Sequence, residues 1–319
     1  MNSGSSTNSG RLRELVTRRL LELPVAGALR NYLALRNALR DSWGSKKMAA
    51  KLEYGNLDVT DGSLWARKSD TLFILGSGPS VEEVSQDQWA HVAKHNSIGI
   101  NSWVVHDFVP DIYCFEEVES LEYATVASAL SAMLARSDIL KRAPQILLLR
   151  PHADTESQRI VQVPPSLRRN TKVYGRATVS TKSVSNLVSD LSRLMRSYRS
   201  GRVQKNILLD SGMSVARMLF LGAVSGFSTI VLIGVDLNSN QYFFDVNPNY
   251  LGRRNQEDFD PWRRRSRVHD TEDRISQQFQ ASQFIPALAQ AAEKTFGTQV
   301  LISSHESLLS ATMQLYRWK

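Results

Sequence analysis

From residue 71 onward, short apolar runs alternate with longer segments of helical periodicity. The runs at 71–75, 97–100, 111–115, 145–149, 172–174, 229–234 and 299–302 have strand length and are bounded by turn residues. They predict strands. Between them, apolar residues recur at three- and four-residue spacing over 81–94, 120–134, 184–200, 211–224, 271–295 and 307–315, which predicts helices. Alternation of this kind implies an α/β domain over 70–319, Rossmann-like, with a doubly wound, mostly parallel sheet. A polar, aromatic and Arg-rich stretch at 237–270 interrupts it. An excursion that long in a compact domain is expected to be a lid.

The N-terminal part follows a different pattern. Residues 1–10 are mostly Ser, Asn, Gly and Thr and are expected to be disordered. From 11 to 40 basic and Leu-rich positions alternate, and Pro24 is expected to break the run into two helices. We read 11–60 as a basic, amphipathic helical arm. Charge supports the division. The whole chain of 319 residues carries +8, and ten basic against three acidic residues place +7 of it within 1–52. Such an arm suits an anionic membrane surface, or packs on the body or on a second subunit. Those readings stay open here, as does a homo-oligomer.

The 42% hydrophobic and 22% charged content is that of an ordinary globular protein. No run of 18 apolar residues occurs, and no secretory signal stands at the N-terminus. The one cysteine, Cys114, lies in an apolar run and reads as a buried thiol in a reducing compartment. A cytoplasmic protein is expected, peripheral on the inner face of the membrane if the arm binds lipid.

Open α/β sheets bind ligands beyond the carboxyl ends of their strands. The chain carries chemistry-bearing residues at those points. The first strand runs into Gly76-Ser77-Gly78-Pro79-Ser80, a tight turn at a helix start that suits a phosphate or nucleotide. A dinucleotide fingerprint would need a further glycine where Val81 stands, and no Gly-Lys-Ser/Thr ending follows for a P-loop. Asn101 follows the second strand, Glu116 and Glu117 the third, Asp236 the run at 229–234, and Ser303 to Ser307 the last.

In their order these motifs resemble the bacterial sialyltransferases of glycosyltransferase family 42 and related transferases of CMP-activated ulosonic acids. The resemblance covers roughly residues 71–312. It implies a GT-A-like variant of the doubly wound fold. It also implies a nucleotide site built from Gly76, Ser77, Gly78, Pro79, Ser80, Asn101, Glu117, Ser211, Gly212, Asp236 and Ser307. Ser77 stands where the family often has Asn. Ser211-Gly212 matches a Ser-Gly pair that opens a long helix, and the chain then reads Gly234-Val-Asp236 where the family has Gly-Ile-Asp. Tyr242 matches a donor-phosphate contact, His269 a general base carried by the lid, and Ser307-Leu-Leu the family's Ser-Leu-Leu ending. Two positions depart from the family. Asn238 falls where a second phosphate-contacting Tyr would stand, and Glu116 or Glu117 where a donor-contacting Asn would stand.

The implied activity is an inverting, metal-independent transfer of sialic acid or a related ulosonic acid to a glycan or glycolipid, in lipopolysaccharide or capsule biosynthesis. The residue types suit it. An imidazole takes the acceptor proton near neutral pH. A Tyr hydroxyl and backbone N–H groups stabilise the leaving phosphate without a metal or other cofactor. His91, His95, His106, His152 and His305 compete with His269 for the base, and His305 also sits at a strand end. Asp258-Phe-Asp260 has the spacing of a metal-binding motif but lies inside the lid, and reads as solvated loop. Arg263 and Arg264, in an Arg-rich stretch, suit an anionic acceptor. No zinc-finger spacing or RNP-like aromatic motif points to nucleic acid. Two other classes remain open: a nucleotide-dependent enzyme resembling pterin diphosphokinases, which share the strand–Gly-x-Gly-Pro-Ser turn, and a non-enzymatic nucleotide-binding assembly protein.

Overall fold

The structure is a computed structural model. It describes residues 26–59, 64–100, 103, 106–116, 146–150, 170–179, 181, 183–253, 270–273 and 279–318. Eight of the described strands form one sheet in the order β1-β6-β5-β4-β3-β2-β9-β10, every neighbouring pair parallel. In chain order they are β1 (Gly55–Asn56), β2 (Thr71–Leu75), β3 (Asn96–Ile100), β4 (Ile112–Glu116), β5 (Ile146–Arg150), β6 (Thr171–Val173), β9 (Thr229–Ile233) and β10 (Gln299–Ile302). A separate two-stranded parallel pair consists of β7 (Gly175–Ala177) and β8 (Ile207–Leu209). The expected α/β class and mostly parallel doubly wound sheet are what the chain adopts.

Strand order explains where the functional loops gather. From β2 the chain steps outward through β3, β4, β5 and β6, then returns to place β9 on the other side of β2. The order therefore reverses at the β2–β9 boundary, where open α/β sheets leave a crevice at their carboxyl edge.

The strands are apolar throughout because both faces are covered. In β2, Leu72 and Ile74 enter one core, while Phe73 and Leu75 enter the other. The first core lies under α3 (Val184–Arg199), α4 (Ser214–Val224) and α7 (Ala281–Phe296). The second holds Val81, Val92, Trp103, Phe243 and Tyr250. It is closed by α2 (Gln86–Val92), by α5 (Phe243–Val246) and by Tyr316 and Trp318 near the C-terminus.

Several elements differ from expectation for visible reasons. The helix expected over 81–94 is split. Pro79 opens a 3-10 turn over Pro79–Glu83, and Ser85 restarts the chain with a capping box on Gln88 before α2. The C-terminal helix expected over 307–315 is only a 3-10 turn, Leu308–Ala311. Beyond it the chain runs alongside β10, where Ile302 N–H donates to Gln314 O and Tyr316 N–H to Ile302 O. The long helix expected over 271–295 appears as α6 (Asp270–Asp273) and α7, with 274–278 outside the described residues. The helix expected over 120–134 also lies outside them.

Within the arm, α1 spans Ala26–Leu52, two residues after Pro24. Its small inner residues Ala38, Ser42, Ser45 and Ala49 are buried. They let the backbone come so close to β7 that a Cβ on Gly175 would sit 2.9 Å from Ser42 N. Immediately after α1, β1 pairs with β6. Residues 36–56 thus belong to the α/β body. No described helix is long and apolar enough to cross a membrane.

Candidate nucleotide site at the β2–β9 switch point

The turn after β2 and the turn after β9 interlock. Gly76 N–H donates to Ile233 O at 2.7 Å, and Gly78 N–H to Gly234 O at 2.8 Å. The backbones touch so closely that a Cβ on Gly76 would fall 2.4 Å from Gly234 O, and one on Gly234 would fall 2.4 Å from Val81 Cγ2. Gly234 also has φ +66°, a conformation that glycine adopts without strain.

This changes the role of the glycine turn. A phosphate cradle needs free N–H groups. Here Gly76, Gly78, Ser80 and Val81 all spend theirs inside the protein, Val81 on Gly78 O and Ser80 on Asp236 Oδ2 at 2.9 Å. Pro79 has none to give. The expected row of open donors at a helix start is therefore absent from 76–81 except at Ser77, and the element that follows is a 3-10 turn rather than an α-helix.

Asp236 is likewise engaged. Ser80 meets it twice, backbone N–H to Oδ2 and hydroxyl to Oδ1. Burial raises its pKa above the usual carboxylate value, with Glu83 and Glu306 adding to the rise, and the two bonds from Ser80 pull the other way. Ser307 is buried too. Its hydroxyl donates to Val235 O at 2.6 Å and accepts from Leu309 N–H, while Leu308 N–H donates to Asp236 O. Asn238 Nδ2 donates to Glu306 O at 2.7 Å, and Ser304 Oγ to Glu83 Oε2 at 2.9 Å. Leu237, between Asp236 and Asn238, is held at φ +66°, which costs a non-glycine residue about 1–2 kcal/mol. Asp236 and Ser307, expected to touch the nucleotide, stitch the loops after β2, β9 and β10 into one floor.

Two candidate site residues are among those whose buried polar atoms lack a partner among the described residues. Ser77 Oγ is buried and has no hydrogen-bond partner among the described residues, and the same holds for Ser211 Oγ. A buried hydroxyl left unpaired costs about 1–3 kcal/mol, so each is a group in want of an acceptor or donor. Both lie toward the same edge of the sheet. Gly222, near the end of α4, packs on Leu72 and Ile230 at the starts of β2 and β9. The beginning of α4 therefore points back to the carboxyl edge, roughly 12 Å along the axis. Ser211 and Gly212 precede that helix, whose N-cap position is Met213, so Ser211 is not its cap.

Tyr242 joins Ser77 through the backbone, since Phe243 N–H donates to Ser77 O at 2.9 Å. Its ring stacks on Phe244 with centroids 5.2 Å apart, and its N–H donates to Asp245 Oδ2. Asn247 ties the same segment to Glu82. His106 stacks on Trp103 at 4.5 Å and meets Phe243 at 5.3 Å, and its Nδ1 accepts from Phe108 N–H. It is a core histidine of the site wall.

A second group of residues holds the Ser211 loop and was not singled out from sequence. Asp210 Oδ1 accepts from Gly212 N–H at 3.1 Å and from Arg217 Nη2 at 3.0 Å, and its Oδ2 lies 3.5 Å from Arg176 Nη1. Arg217 is fully buried and donates to Tyr174 OH at 3.2 Å. The available signal was an Asp in the turn before a helix and an Arg seven residues on, inside that helix. Among the other histidines, His91 pairs with Tyr316 OH, His95 with Ser69 Oγ, and His305 with Glu306 on the exposed surface. Asn101, Glu117, Arg263, Arg264, His269, His152 and Asp258 to Asp260 lie outside the described residues.

No protein-family model matches the sequence, and no curated protein matches it. Among solved structures, the chain is similar to sialyltransferase CstII from Campylobacter jejuni, in complex with the substrate analogue cytidine-5'-monophosphate. Identity is 16%, 77% of this chain and 85% of that chain are covered, and the TM-score is 0.41. It is similar to the monofunctional α-2,3-sialyltransferase Cst-I of Campylobacter jejuni at 12% identity, over 79% of this chain and 82% of that one, TM-score 0.44. It is also similar to the MAf glycosyltransferase of Magnetospirillum magneticum AMB-1 at 18% identity, over 82% of this chain and 36% of that one, TM-score 0.41. These are likenesses of fold.

Proposed function

We propose that this chain is a sialyltransferase-like glycosyltransferase that moves a sialic acid or related ulosonic acid from a CMP donor to a glycan acceptor. One observation carries the reading. Ser77 and Ser211, whose buried hydroxyls have no partner among the described residues, stand at two of the positions where the ordered motifs call for donor contacts, toward one edge of the sheet. Tyr242 is fixed next to Ser77 by the Phe243–Ser77 bond, as a phosphate-stabilising hydroxyl would need to be. The internally satisfied turn weighs against the diphosphokinase-like alternative. A chain of phosphates calls for several open backbone donors, and 76–81 offers the one N–H of Ser77.

In this reading the cytidine monophosphate lies over the floor made by the loops after β2 and β9. Ser77 and the Ser211-Gly212 turn hold it, and Tyr242 meets the phosphate as negative charge develops there. His269 takes the proton of the acceptor hydroxyl, which attacks the anomeric carbon from the face opposite CMP and inverts it. Asn101 and Glu117 complete the donor site, and Arg263 and Arg264 hold an anionic acceptor. No metal is required, because hydroxyl and N–H donors supply the leaving-group stabilisation. The acceptors that fit are surface glycans or glycolipids of lipopolysaccharide or capsule type.

The test is CMP release from a CMP-ulosonic acid donor in the presence of a chelator, with His269→Ala and Tyr242→Phe as comparisons. Release that depends on both residues supports the reading. Release that requires a divalent cation, or that both variants sustain at full rate, refutes it.

A further inference from the structure

The geometry points to a docking surface for anionic lipid on the outer face of α1, and we propose that this face holds the protein against a membrane. Two sides of the helix differ sharply. The inner side is fixed to the body by Ser42 Oγ on Asn206 Oδ1 at 2.7 Å, by Asp41 Oδ2 with Arg176 Nε at 2.9 Å, and by the close approach to Gly175. The face presented outward is therefore set by the fold.

That outer face carries Arg36, Leu39, Arg40, Trp43, Lys46 and Lys47, all exposed. At 3.6 residues per turn they span an arc of roughly 120° centred on Trp43, and a length of roughly 16 Å. No acid interrupts it. Asp41 is the sole acidic residue within 26–52, and it is turned inward to Arg176. Trp43 is 68% exposed and Leu39 41%, two large apolar side chains one turn apart that the fold leaves in water. Lys47 lies over the Trp43 ring at 5.7 Å, and Lys46 donates to Gln204.

The combination identifies the partner. Basic side chains on one arc attract an anionic surface, while Trp and Leu at its centre gain only if they enter an apolar layer just below that charge. A lipid headgroup layer offers both. A nucleic acid would reward the cations but not the exposed leucine, and the long stems of Arg and Lys suit a flat surface onto which they can extend. The preceding residues Arg11, Arg13, Arg18 and Arg19 add basic charge to the same end of the chain. This inference stands apart from the nucleotide site.

The test is sedimentation of the full chain with vesicles of phosphatidylcholine alone and of phosphatidylcholine and phosphatidylglycerol in equal parts. Binding only to the anionic vesicles is expected, weakening as salt is added. The variant Arg36→Gln/Arg40→Gln/Lys47→Gln should bind about 100-fold more weakly, at about fivefold per basic side chain. Trp43→Ser should lower affinity without altering the salt dependence. A control triple just beyond α2 and on α3 and α7, Lys94→Gln/Arg196→Gln/Lys294→Gln, should bind as wild type does. Urea unfolding checks that each variant is folded; if the α1 triple is not, Trp43→Ser decides. Equal binding to both vesicles, binding to neither, or an equal loss in the control triple would overturn the proposal. So would unchanged binding by Trp43→Ser, or α1-dependent capture of single-stranded RNA by a protein that ignores vesicles.

Discussion

Replacing Gly234 by Ala tests whether the turns after β2 and β9 act as one unit. Gly234 has φ +66°, so any side chain there costs about 1–2 kcal/mol of backbone strain. The new Cβ would also lie 2.4 Å from Val81 Cγ2 and 2.8 Å from Gly76 O. The carbonyl cannot rotate away without breaking the neighbouring bonds of Gly76 and Gly78, so overpacking adds about 1–3 kcal/mol. The expected loss is about 2–5 kcal/mol in all. Gly226 supplies the matched control, because it has φ +80° and nothing within 4 Å of an added Cβ. Gly226→Ala should cost only the strain, about 1–2 kcal/mol. Urea unfolding of the two variants reads both losses. In addition, Gly234→Ala should weaken CMP binding, because the shifted Gly76 carries Ser77 with it, whereas Gly226→Ala should not. Equal destabilisation by the two substitutions, with CMP affinity unchanged in both, would refute the interlocked floor.

Three further outcomes are expected. Ser77→Ala and Ser211→Ala each remove a buried unpaired hydroxyl, so the ligand-free protein should gain about 1 kcal/mol while CMP affinity falls about three- to tenfold. Thermal unfolding with and without CMP reads both, and unchanged affinity would remove these residues from the site. Arg217→Ala removes the fully buried partner of the Asp210 carboxylate, which keeps Gly212 N–H and Arg176, and a loss of about 3 kcal/mol is expected in denaturant unfolding; a loss under about 1 kcal/mol, the scale of a surface pair, would contradict the importance of the buried pair. The His95 imidazole is held below its ordinary value of 6.5 by burial and by the charges of His91, Lys94 and Lys68. The unfolded chain then binds more protons in mild acid, so stability should fall as pH drops below 6.5 and stay level above it. His95→Gln should flatten that fall, and an unchanged pH profile would show that another group causes it.

The strands were legible because a sheet covered on both faces needs unbroken apolar runs. The runs 71–75 and 299–302 match β2 and β10 residue for residue, and the others match within a residue. The short pair β7 and β8 was not legible. Gly175–Ala177 holds too few side chains for any period, and Ile207–Leu209 reads as a lead-in to Asp210. The split of the first helix was written in the chain, since Ser85 and Gln88 form a capping box. The longer apolar period around it masked that signal. The roles of site residues divided along another line. Ser77, Ser211 and Tyr242 were placed by motif order, and the two serine hydroxyls have no partner among the described residues. Asp236 and Ser307 were assigned to the nucleotide by the same motif order. Their partners, Ser80 for Asp236 and Val235 for Ser307, lie 156 and 72 residues away in sequence, and only the fold brings them together. Arg217 was hidden because a charged residue in an apolar helix looks like a surface position until Asp210 and Tyr174 are seen around it.

In the proposed function, the floor between β2 and β9 takes a cytidine monophosphate and needs no metal to do so. Calorimetric titration of the full chain with CMP, UMP, ATP plus Mg²⁺ and NAD, each nucleotide without added metal run in chelator, tests it most directly. Saturable binding of CMP in chelator is expected, weakened by Ser77→Ala, with no comparable binding of the others. Tight binding of ATP with Mg²⁺ or of NAD, and none of CMP, would contradict it.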